Sequence, residues 1–366
     1  MKSYNHLFEI ALSDEVVESS LMNASKGKRD RPDVQRILKN KEKYIKKFRE
    51  WLTSGELIPI KHKAVVINDG FILKKRTVIQ PYFYPEQWLQ HIIVTTLKPI
   101  FLKGMYEFSC GSIPNRGVHY GKKYLEKFIK NNKSEIKYVL KFDIHHFYQS
   151  INIDLLKNRL KKLIHDERML QLIYFVLDSN SAELNGEVIR EGLPIGFYTS
   201  QWFANWFLQP FDHFMKEELK VKCYVRYMDD IVIFGRNKKE LHNHLERIRQ
   251  YLAKMDLELK SNYQVFRFDY IDRNGKRRGR PIDFMGFKFY RDKTTIRGKI
   301  FIRAIRKARK IKLKKRLTWY DASQILSYLG WFKATNTYQA YKKYVEPNVN
   351  IKQCKKIISH HYKKKE

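Results

Sequence analysis

Apolar residues recur along much of the chain with helical spacing, which predicts where the helices lie. From Val34 to Leu52 they follow one another at steps of three and four residues, so one amphipathic helix is predicted that ends near Ser54-Gly55. The same spacing predicts helices over 86–104, 118–132, 153–178, 198–219 and 238–256 and a strongly basic helical region from residue 301 onward. Because residues 198–219 are rich in Trp and Phe, we expect that helix to be buried.

Short β-rich runs between turn residues predict the strands. These runs lie at 63–79, 138–142, 223–235, 263–268 and 282–290. The first run is interrupted by Asn68-Asp69-Gly70, a strong hairpin signal. The second leads directly into Asp143, and the third has two apolar arms around Met228-Asp229-Asp230. The mixture of helices with hairpins favours an α+β fold.

The charge of the chain points to a polyanionic partner. Its 366 residues include 73 Lys and Arg against 38 Asp and Glu, a formal net charge of +35. Nucleic acid is the polyanion that we expect, and a solvated basic surface or an anionic lipid surface is the alternative. No apolar run approaches the ~20 residues that span a bilayer, and we see no signal peptide. Three widely separated cysteines exclude a disulfide framework and a zinc site, so we expect a cytoplasmic, reduced protein.

Three aspartates stand where rigid backbone would hold a metal site. Asp229 and Asp230 are adjacent in a tight turn, where their charges repel each other unless a cation neutralises them. Asp143 ends a strand, and Ile144 after it offers a backbone carbonyl to a metal. Two-metal phosphoryl transfer needs carboxylates that hold two ions ~4 Å apart. An ordinary surface turn is the alternative, but two apolar arms are not typical of one.

The order of these features resembles the sequence blocks of reverse transcriptases. FDIHHFYQSI (142–151), GLPIGFYTSQWFAN (192–205) and YMDD (227–230) are similar, in this order, to the third, fourth and fifth blocks of that family. The amino-terminal, finger and thumb blocks resemble NASKGKRDRPDV (23–34), Lys74-Lys75-Arg76, SIPNRGVH (112–119) and SYLGWFKATNTYQAY (327–341). The resemblance covers nearly the whole chain. It implies an RNA-directed DNA polymerase, a nucleotidyltransferase that uses two Mg²⁺ ions, for which Mn²⁺ can substitute.

The same resemblance implies a right-hand polymerase fold of the α+β class. The fingers, with a basic amino-terminal extension, are expected over 1–135, the palm with the YMDD hairpin and the primer grip over 136–290, and a basic helical thumb over 291–366. At this length we expect no RNase H or endonuclease domain.

The fourth block indicates a subgroup. Pro194-Ile195-Gly196 followed by Ser200-Gln201 is similar to the enzymes of diversity-generating retroelements, although Phe197 replaces the Asn that usually follows the glycine. One alternative is an antiphage defence enzyme that makes repetitive, untemplated or protein-primed DNA. A second alternative is a non-catalytic RNA-binding scaffold.

The resemblance assigns roles to individual residues. Asp143, Asp229 and Asp230 are the catalytic metal ligands, together with the carbonyl of Ile144. Tyr148 is expected to exclude a 2′-hydroxyl by collision. The expected nucleotide contacts are Lys74 and Arg76 on the phosphates, Ile195, Gly196 and Gln201 beside the base pair, and Lys260 as proton donor to pyrophosphate. We interpret His145 and His146 as surface contacts.

Nucleic-acid contacts are expected in the fingers, the palm and the thumb. They comprise Arg116, Tyr227, Met228, the primer-grip residues Met285 and Gly286, and the thumb residues Arg303, Arg306 and Lys310. The expected partners are an RNA template, a DNA product, deoxynucleoside triphosphates, a structured non-coding RNA and an accessory protein or second polymerase, but no membrane.

Overall fold

The computed structural model describes residues 3–57, 60, 62–69, 74–184, 186–190 and 192–363. The chain divides into two compact units. Unit 1 comprises Met1–Ile113, Asp143–Lys220 and His244–Ser261, and unit 2 comprises Pro114–Phe142, Val221–Asn243 and Asn262–Glu366. The boundaries of fingers, palm and thumb stay a prediction.

Helices make up most of the regular structure. In chain order they are α1 (Leu7–Leu12), α2 (Asp14–Ser25), α3 (Pro32–Lys39), α4 (Lys41–Ser54), α5 (Trp88–Leu102), α6 (Val118–Asn131), α7 (Phe147–Ser150), α8 (Ile153–Leu163), α9 (Glu167–Asp178), α10 (Tyr198–Phe207), α11 (Gln209–His213), α12 (Lys238–Ala253), α13 (Gly298–Lys312), α14 (Trp319–Lys333), α15 (Tyr338–Tyr344) and α16 (Ile351–Lys363). Single π-helical or 3₁₀ turns lie at Phe83–Gln87, Phe214–Glu218 and Glu346–Asn348. None of the described helices combines the length and the apolar character that a bilayer span requires.

The strands form four small sheets. In chain order they are β1 (His62–Asp69), β2 (Lys74–Gln80), β3 (Tyr138–Asp143), β4 (Ser181–Leu184), β5 (Glu187–Arg190), β6 (Tyr224–Tyr227), β7 (Asp230–Gly235), β8 (Gln264–Arg267), β9 (Tyr270–Ile271), β10 (Arg277–Arg278), β11 (Ile282–Phe284), β12 (Phe287–Phe289) and β13 (Thr294–Ile296). Their orders are β2-β1-β4-β5, β10-β9, β11-β12-β13 and β6-β7-β3-β8. Gly70, which was expected in the turn between β1 and β2, lies outside the described residues.

Three predicted helices are divided, and the one predicted over 198–219 is interrupted at Leu208 between α10 and α11. The helix expected from Val34 to Leu52 is broken at Asn40, whose backbone leaves the helical region (φ −119°, ψ 43°) while its side chain donates to the carbonyl of Arg36 (3.0 Å). Asn competes in this way with helical hydrogen bonds. The helix expected over 153–178 is broken at 164–166, because Ile164 forms a parallel bridge with Tyr4 instead.

Unit 1 is organised around α5, which is apolar on nearly all sides. Leu89, Ile92, Ile93 and Leu97 are fully buried, as expected of a central helix packed by α2 and α10. Trp88 donates its indole N–H to the carbonyl of Val17 (3.0 Å) on α2. Helices α1 and α2, which also pack against α5, were not predicted from the apolar pattern of the sequence.

The central sheet of unit 2 brings two strand ends to one edge. The backbone N–H of Lys137, just before β3, donates to the carbonyl of Gly235 at the end of β7 (3.2 Å). The two strands therefore run in opposite directions, and the carboxyl end of β3 lies at the same edge as Asp230, the first residue of β7. Strand β8 pairs antiparallel with the other side of β3, from Tyr138 with Arg267 to Lys141 with Gln264.

The last helices of unit 2 have their own apolar core and one buried charge cluster. Ile300, Ala308, Ile325 and Phe332 belong to that core. Asp321, 2% exposed, caps the start of α14 and accepts from the ammonium groups of two lysines on or after α13, Lys307 (2.7 Å) and Lys314 (2.7 and 2.9 Å). These hydrogen bonds lower the pKa of Asp321.

Candidate active site

A rigid hairpin corner carries Asp229 and Asp230. Strands β6 and β7 pair up to Tyr227 and Asp230, which leaves Met228-Asp229 as a two-residue turn. Met228 has a φ of 55°, a conformation that is uncommon for a residue other than glycine. Arg226, fully buried, donates from its guanidinium to the carbonyl of Met228 (3.2 Å). The backbone of the corner is therefore held from inside the unit.

A lysine of β3 lies beside the corner. The ammonium of Lys141 is 3.3 Å from a carboxylate oxygen of Asp230 and donates to the carbonyl of Asp283 (2.6 Å). Both contacts lie within unit 2. Since Lys141 is two residues before the end of β3, this ion pair also shows that the end of β3 and the start of β7 share one edge.

Asp143 is held by a second lysine within unit 1. The ammonium of Lys260 donates to Asp143 Oδ2 (2.5 Å), and the backbone N–H of Lys260 donates to the Asp143 carbonyl (2.9 Å). Ile144, fully buried, pairs with Leu259 in an antiparallel bridge. Asp143 Oδ1 is buried and accepts no hydrogen bond from the described residues. The resemblance implies a role for Lys260 as proton donor, and in the structure its ammonium lies on Asp143.

The carboxylates suit a divalent metal by their chemistry, although the described residues do not gather them into one cluster. Within the described part of the chain, no three His, Cys, Asp or Glu side chains lie together as a metal site. Asp143 and Asp230 each have a lysine ammonium as counter-ion. Carboxylate and carbonyl oxygens are the ligands that Mg²⁺ prefers, and the buried, unbonded Asp143 Oδ1 is suited to such an ion.

A cavity of about 400 Å³ in unit 1 contains most of the residues predicted to bind the nucleotide. It is lined by Lys28, Arg76, His91, Tyr148, Pro194, Ile195, Gly196, Phe197, Tyr198, Ser200 and Gln201. Five of the predicted nucleotide contacts are in this set: Arg76, Tyr148, Ile195, Gly196 and Gln201. The side chain of Lys74 lies outside the described residues, and Lys260 is not among the lining residues.

The wall of this cavity is held by close backbone contacts. Gly196 has a φ of 116°, and a Cβ there would lie 2.3 Å from the carbonyl oxygen of Ile79 on β2. The N–H of Ile79 in turn donates to the carbonyl of Ile195 (3.0 Å). On the other side, the N–H of Leu193 donates to the carbonyl of Tyr148 (2.8 Å). The Ile195-Gly196 segment therefore lies directly against β2.

Sequence reasoning missed two lining residues, Lys28 and His91. Burial, followed by the charge of Arg31, lowers the pKa of Lys28, whose ammonium donates to the carbonyl of Ala24 (3.0 Å). His91 stacks on Tyr198 with ring centroids 3.9 Å apart, and burial together with Lys28 and Lys26 lowers its pKa to about 4. The basic block at 23–34 was a signal for Lys28, but nothing in the sequence marked His91.

The predicted nucleic-acid contacts lie on four features of unit 2. Met285 and Gly286 form the turn between β11 and β12, with φ of 51° and 84°. A Cβ on Gly286 would lie 2.7 Å from the ring of Trp331 on α14, so the turn packs against that helix. Tyr227 is half-buried and Met228 is buried at the hairpin corner. The remaining contacts are Arg116, half-buried before α6, and Arg303, Arg306 and Lys310 on α13. In unit 1, His145 and His146 are exposed, as expected of surface residues.

Comparison with known proteins identifies the family. The family model described as reverse transcriptase (RNA-dependent DNA polymerase) matches residues 84–289, more than half of the chain. The chain therefore belongs to the reverse transcriptase family. This membership confirms the predicted resemblance at the level of the family, and it confirms the α+β right-hand polymerase fold class.

Two solved structures similar to this chain are telomerases. One is telomerase from Candida albicans in complex with the TWJ fragment of telomeric RNA, with 12% identity and a TM-score of 0.48 over 83% of this chain and 59% of that chain. The other is apo telomerase from Candida tropicalis truncated from its C-terminal domain, with 13% identity and a TM-score of 0.43 over 64% of this chain and 53% of that chain. The chain thus corresponds to little more than half the length of either telomerase. No curated protein matches the sequence.

Proposed function

We propose that this protein is an RNA-directed DNA polymerase that adds deoxynucleotides to the 3′ end of a primer. The observation that carries the proposal lies within unit 2, where the carboxyl end of β3 and Asp230, the first residue of β7, are at the same edge of one sheet. Membership in the reverse transcriptase family supports this activity.

In this proposal Asp143, Asp229 and Asp230 hold two Mg²⁺ ions, with the carbonyl of Ile144 as a further ligand. When bound, such ions activate the primer hydroxyl and neutralise the charge of the leaving pyrophosphate. Lys141 and Lys260 act as counter-ions of two of these carboxylates and would give up that role as the metals bind. An ammonium released in this way from Asp143 is a suitable proton donor, so we assign Lys260 to the protonation of pyrophosphate.

The cavity of unit 1 is proposed to bind the incoming deoxynucleotide. Arg76 and Lys28 would bind its phosphates, because both cations line this cavity and no acid is among the described residues that line it. Tyr148 would provide the wall that excludes a ribonucleotide. Gly196 and Ile195 would let the backbone approach the base pair, since a side chain at Gly196 has no room.

We further propose that the enzyme serves a retroelement of the diversity-generating type, with an RNA template, a structured non-coding RNA and an accessory protein as partners. The Pro194-Ile195-Gly196 segment and Gln201 support this subgroup. Sequencing the DNA made from an RNA template of known sequence tests the assignment. Raised misincorporation opposite adenines supports it, whereas repetitive or homopolymeric DNA favours the antiphage defence role.

The polymerase proposal is tested by Asp229→Asn and Asp230→Asn. Each variant should lower single-nucleotide incorporation by at least about 1,000-fold, because loss of a metal ligand removes most of the stabilisation of the developing charge. The control is Asp154→Asn, an exposed residue of α8, which should retain activity.

Two binding measurements separate the possible outcomes. Primer–template affinity, measured by fluorescence anisotropy, should change by less than about threefold in the variants, and the number of Mn²⁺ ions detected by electron paramagnetic resonance should fall. If the wild-type protein binds RNA but incorporates no nucleotide, the result would instead indicate the alternative function, a non-catalytic RNA-binding scaffold.

A further inference from the structure

A cleft of about 660 Å³ lies near the carboxyl end of unit 2, and the proposed polymerase site does not use it. One wall is formed by residues between α13 and α14, with Lys315 and Arg316 among them, and by Trp319, the first residue of α14. Helix α16 forms the other, with Gln353 and the adjacent His360 and His361. We call this feature the C-terminal cleft. It includes none of the α13 positions that were predicted to contact nucleic acid.

The described residues that line the C-terminal cleft include cations and no acid. Lys315 and Arg316 are exposed, and no carboxylate of the described residues lies within 4.0 Å of either charge. The acid closest in sequence to this wall, Asp321, already binds the ammonium groups of Lys307 and Lys314. His360 and His361 add two imidazoles on the opposite wall. The lining is therefore complementary to a phosphate or another anion.

The same cleft contains an aromatic platform with an unsatisfied donor. The rings of Trp319 and His361 are stacked, with centroids 4.6 Å apart and an interplanar angle of 23°. The indole N–H of Trp319 is buried and meets no acceptor among the described residues. Buried donors are nearly always paired, so this N–H is available to an acceptor of a molecule that binds in the cleft.

We propose that the C-terminal cleft binds a phosphate and a base of a single-stranded nucleic acid, separately from the primer–template. Aromatic rings beside unpaired cations are how proteins hold single strands, by stacking on bases and neutralising phosphates. An acidic protein segment would also satisfy the cations, but it would leave the aromatic platform without a planar partner. The nucleic acid is therefore the occupant that both observations favour.

Binding is measured without any polymerase reaction, so the result does not depend on the proposed activity. The protein is first saturated with an unlabelled duplex primer–template, and fluorescence anisotropy then follows a labelled ten-nucleotide single strand, in one arm RNA and in the other DNA of the same sequence. The test variant is the double substitution K315Q/R316Q. The matched control is K352Q/K355Q, which removes two exposed charges from α16 outside the cleft.

The Kd for the single strand should rise at least about tenfold in K315Q/R316Q and less than about threefold in K352Q/K355Q. His361→Ala should weaken binding by about three- to tenfold through loss of the platform. Binding of either strand supports the site, and the ratio of the two arms shows whether the 2′-hydroxyl contributes. Equal losses in the test and control variants, or no binding of either strand beside the duplex, would overturn the proposal. Binding of an acidic peptide in place of the oligonucleotide would overturn it as well.

Discussion

Replacing Gly196 by alanine tests whether the wall of the nucleotide cavity needs a residue without a side chain. The new Cβ would lie 2.3 Å from the carbonyl oxygen of Ile79, and real Cβ contacts essentially never fall below 3.0 Å, so one backbone must move by about 0.7 Å or more. The strand has little freedom, because Ile79 also bonds Ile195 and pairs with Ala64. A φ of 116° adds strain of about 1–3 kcal/mol for alanine.

This displacement should affect both stability and activity. We expect Gly196→Ala to lower the free energy of unfolding by about 2–3 kcal/mol. Because a shift approaching 1 Å in a positioning segment costs about 100-fold in rate, kcat/KM for deoxynucleotide incorporation should fall by that factor. Single-nucleotide primer extension and urea unfolding provide the two measurements.

The matched control is Gly330→Ala, in the interior of α14, where a Cβ meets nothing within 4 Å. Alanine there should leave activity unchanged and raise stability by about 0.5–1 kcal/mol, as expected for a helical glycine. The reasoning is refuted if Gly196→Ala retains kcat/KM within threefold and unfolds at the wild-type urea concentration.

Three further predictions concern the same cavity. Lys28→Gln should raise KM for deoxynucleotides about tenfold and leave kcat nearly unchanged, because it removes one charge-assisted contact. The control is Lys26→Gln, which removes a charge outside the cavity lining. An equal rise in KM in both variants would contradict a direct contact of Lys28 with the nucleotide. Tyr148→Val should reduce the preference for deoxynucleotides over ribonucleotides about 100-fold in competition assays, whereas Tyr148→Phe should keep it. An unchanged preference in the Val variant would show that Tyr148 does not exclude the 2′-hydroxyl. The pKa of His91 in the folded protein is about 4, below the ordinary value of 6.5. The contribution of neutral His91 to the free energy of unfolding is therefore complete above pH 6.5 and is lost as the pH drops toward 4. At pH 5 the loss is at most about 2 kcal/mol. His91→Phe, which retains a ring on Tyr198, should flatten this dependence in urea unfolding at pH 7 and pH 5; a slope equal to the wild type would refute the assignment.

The features that were predictable from the sequence are those specified by local patterns. The hairpin around Met228-Asp229-Asp230 and the strand before Asp143 follow from short apolar runs that end at charged residues. The turn at Met285-Gly286 likewise follows from a glycine between two apolar strands. Turn chemistry and alternation of side chains act over a few residues, so these elements do not depend on distant partners.

The features that could not be predicted depend on contacts between residues distant along the chain. The break at 164–166 arises because Tyr4 pairs with Ile164, and helical spacing alone carries no information about that partner. The ion pair of Lys141 with Asp230 likewise requires two strands to be neighbours. Arg226 is noticeable in the sequence as a lone cation in an apolar strand. Its hydrogen bond to the carbonyl of Met228 could not be predicted from that pattern.

The buried Asp321 changes how the positive charge of the C-terminal helices should be counted. Each lysine that contacts a phosphate of a single strand releases counter-ions and contributes about 0.7 to the salt exponent of binding. Lys307 and Lys314 share Asp321, whose single negative charge cancels one of their two positive charges, so the pair contributes less to that exponent than a residue count suggests. Affinity for nucleic acid should accordingly decline less steeply with ionic strength than the number of basic residues suggests. A single internal acid thus sets how much of the region's charge is available to its partner.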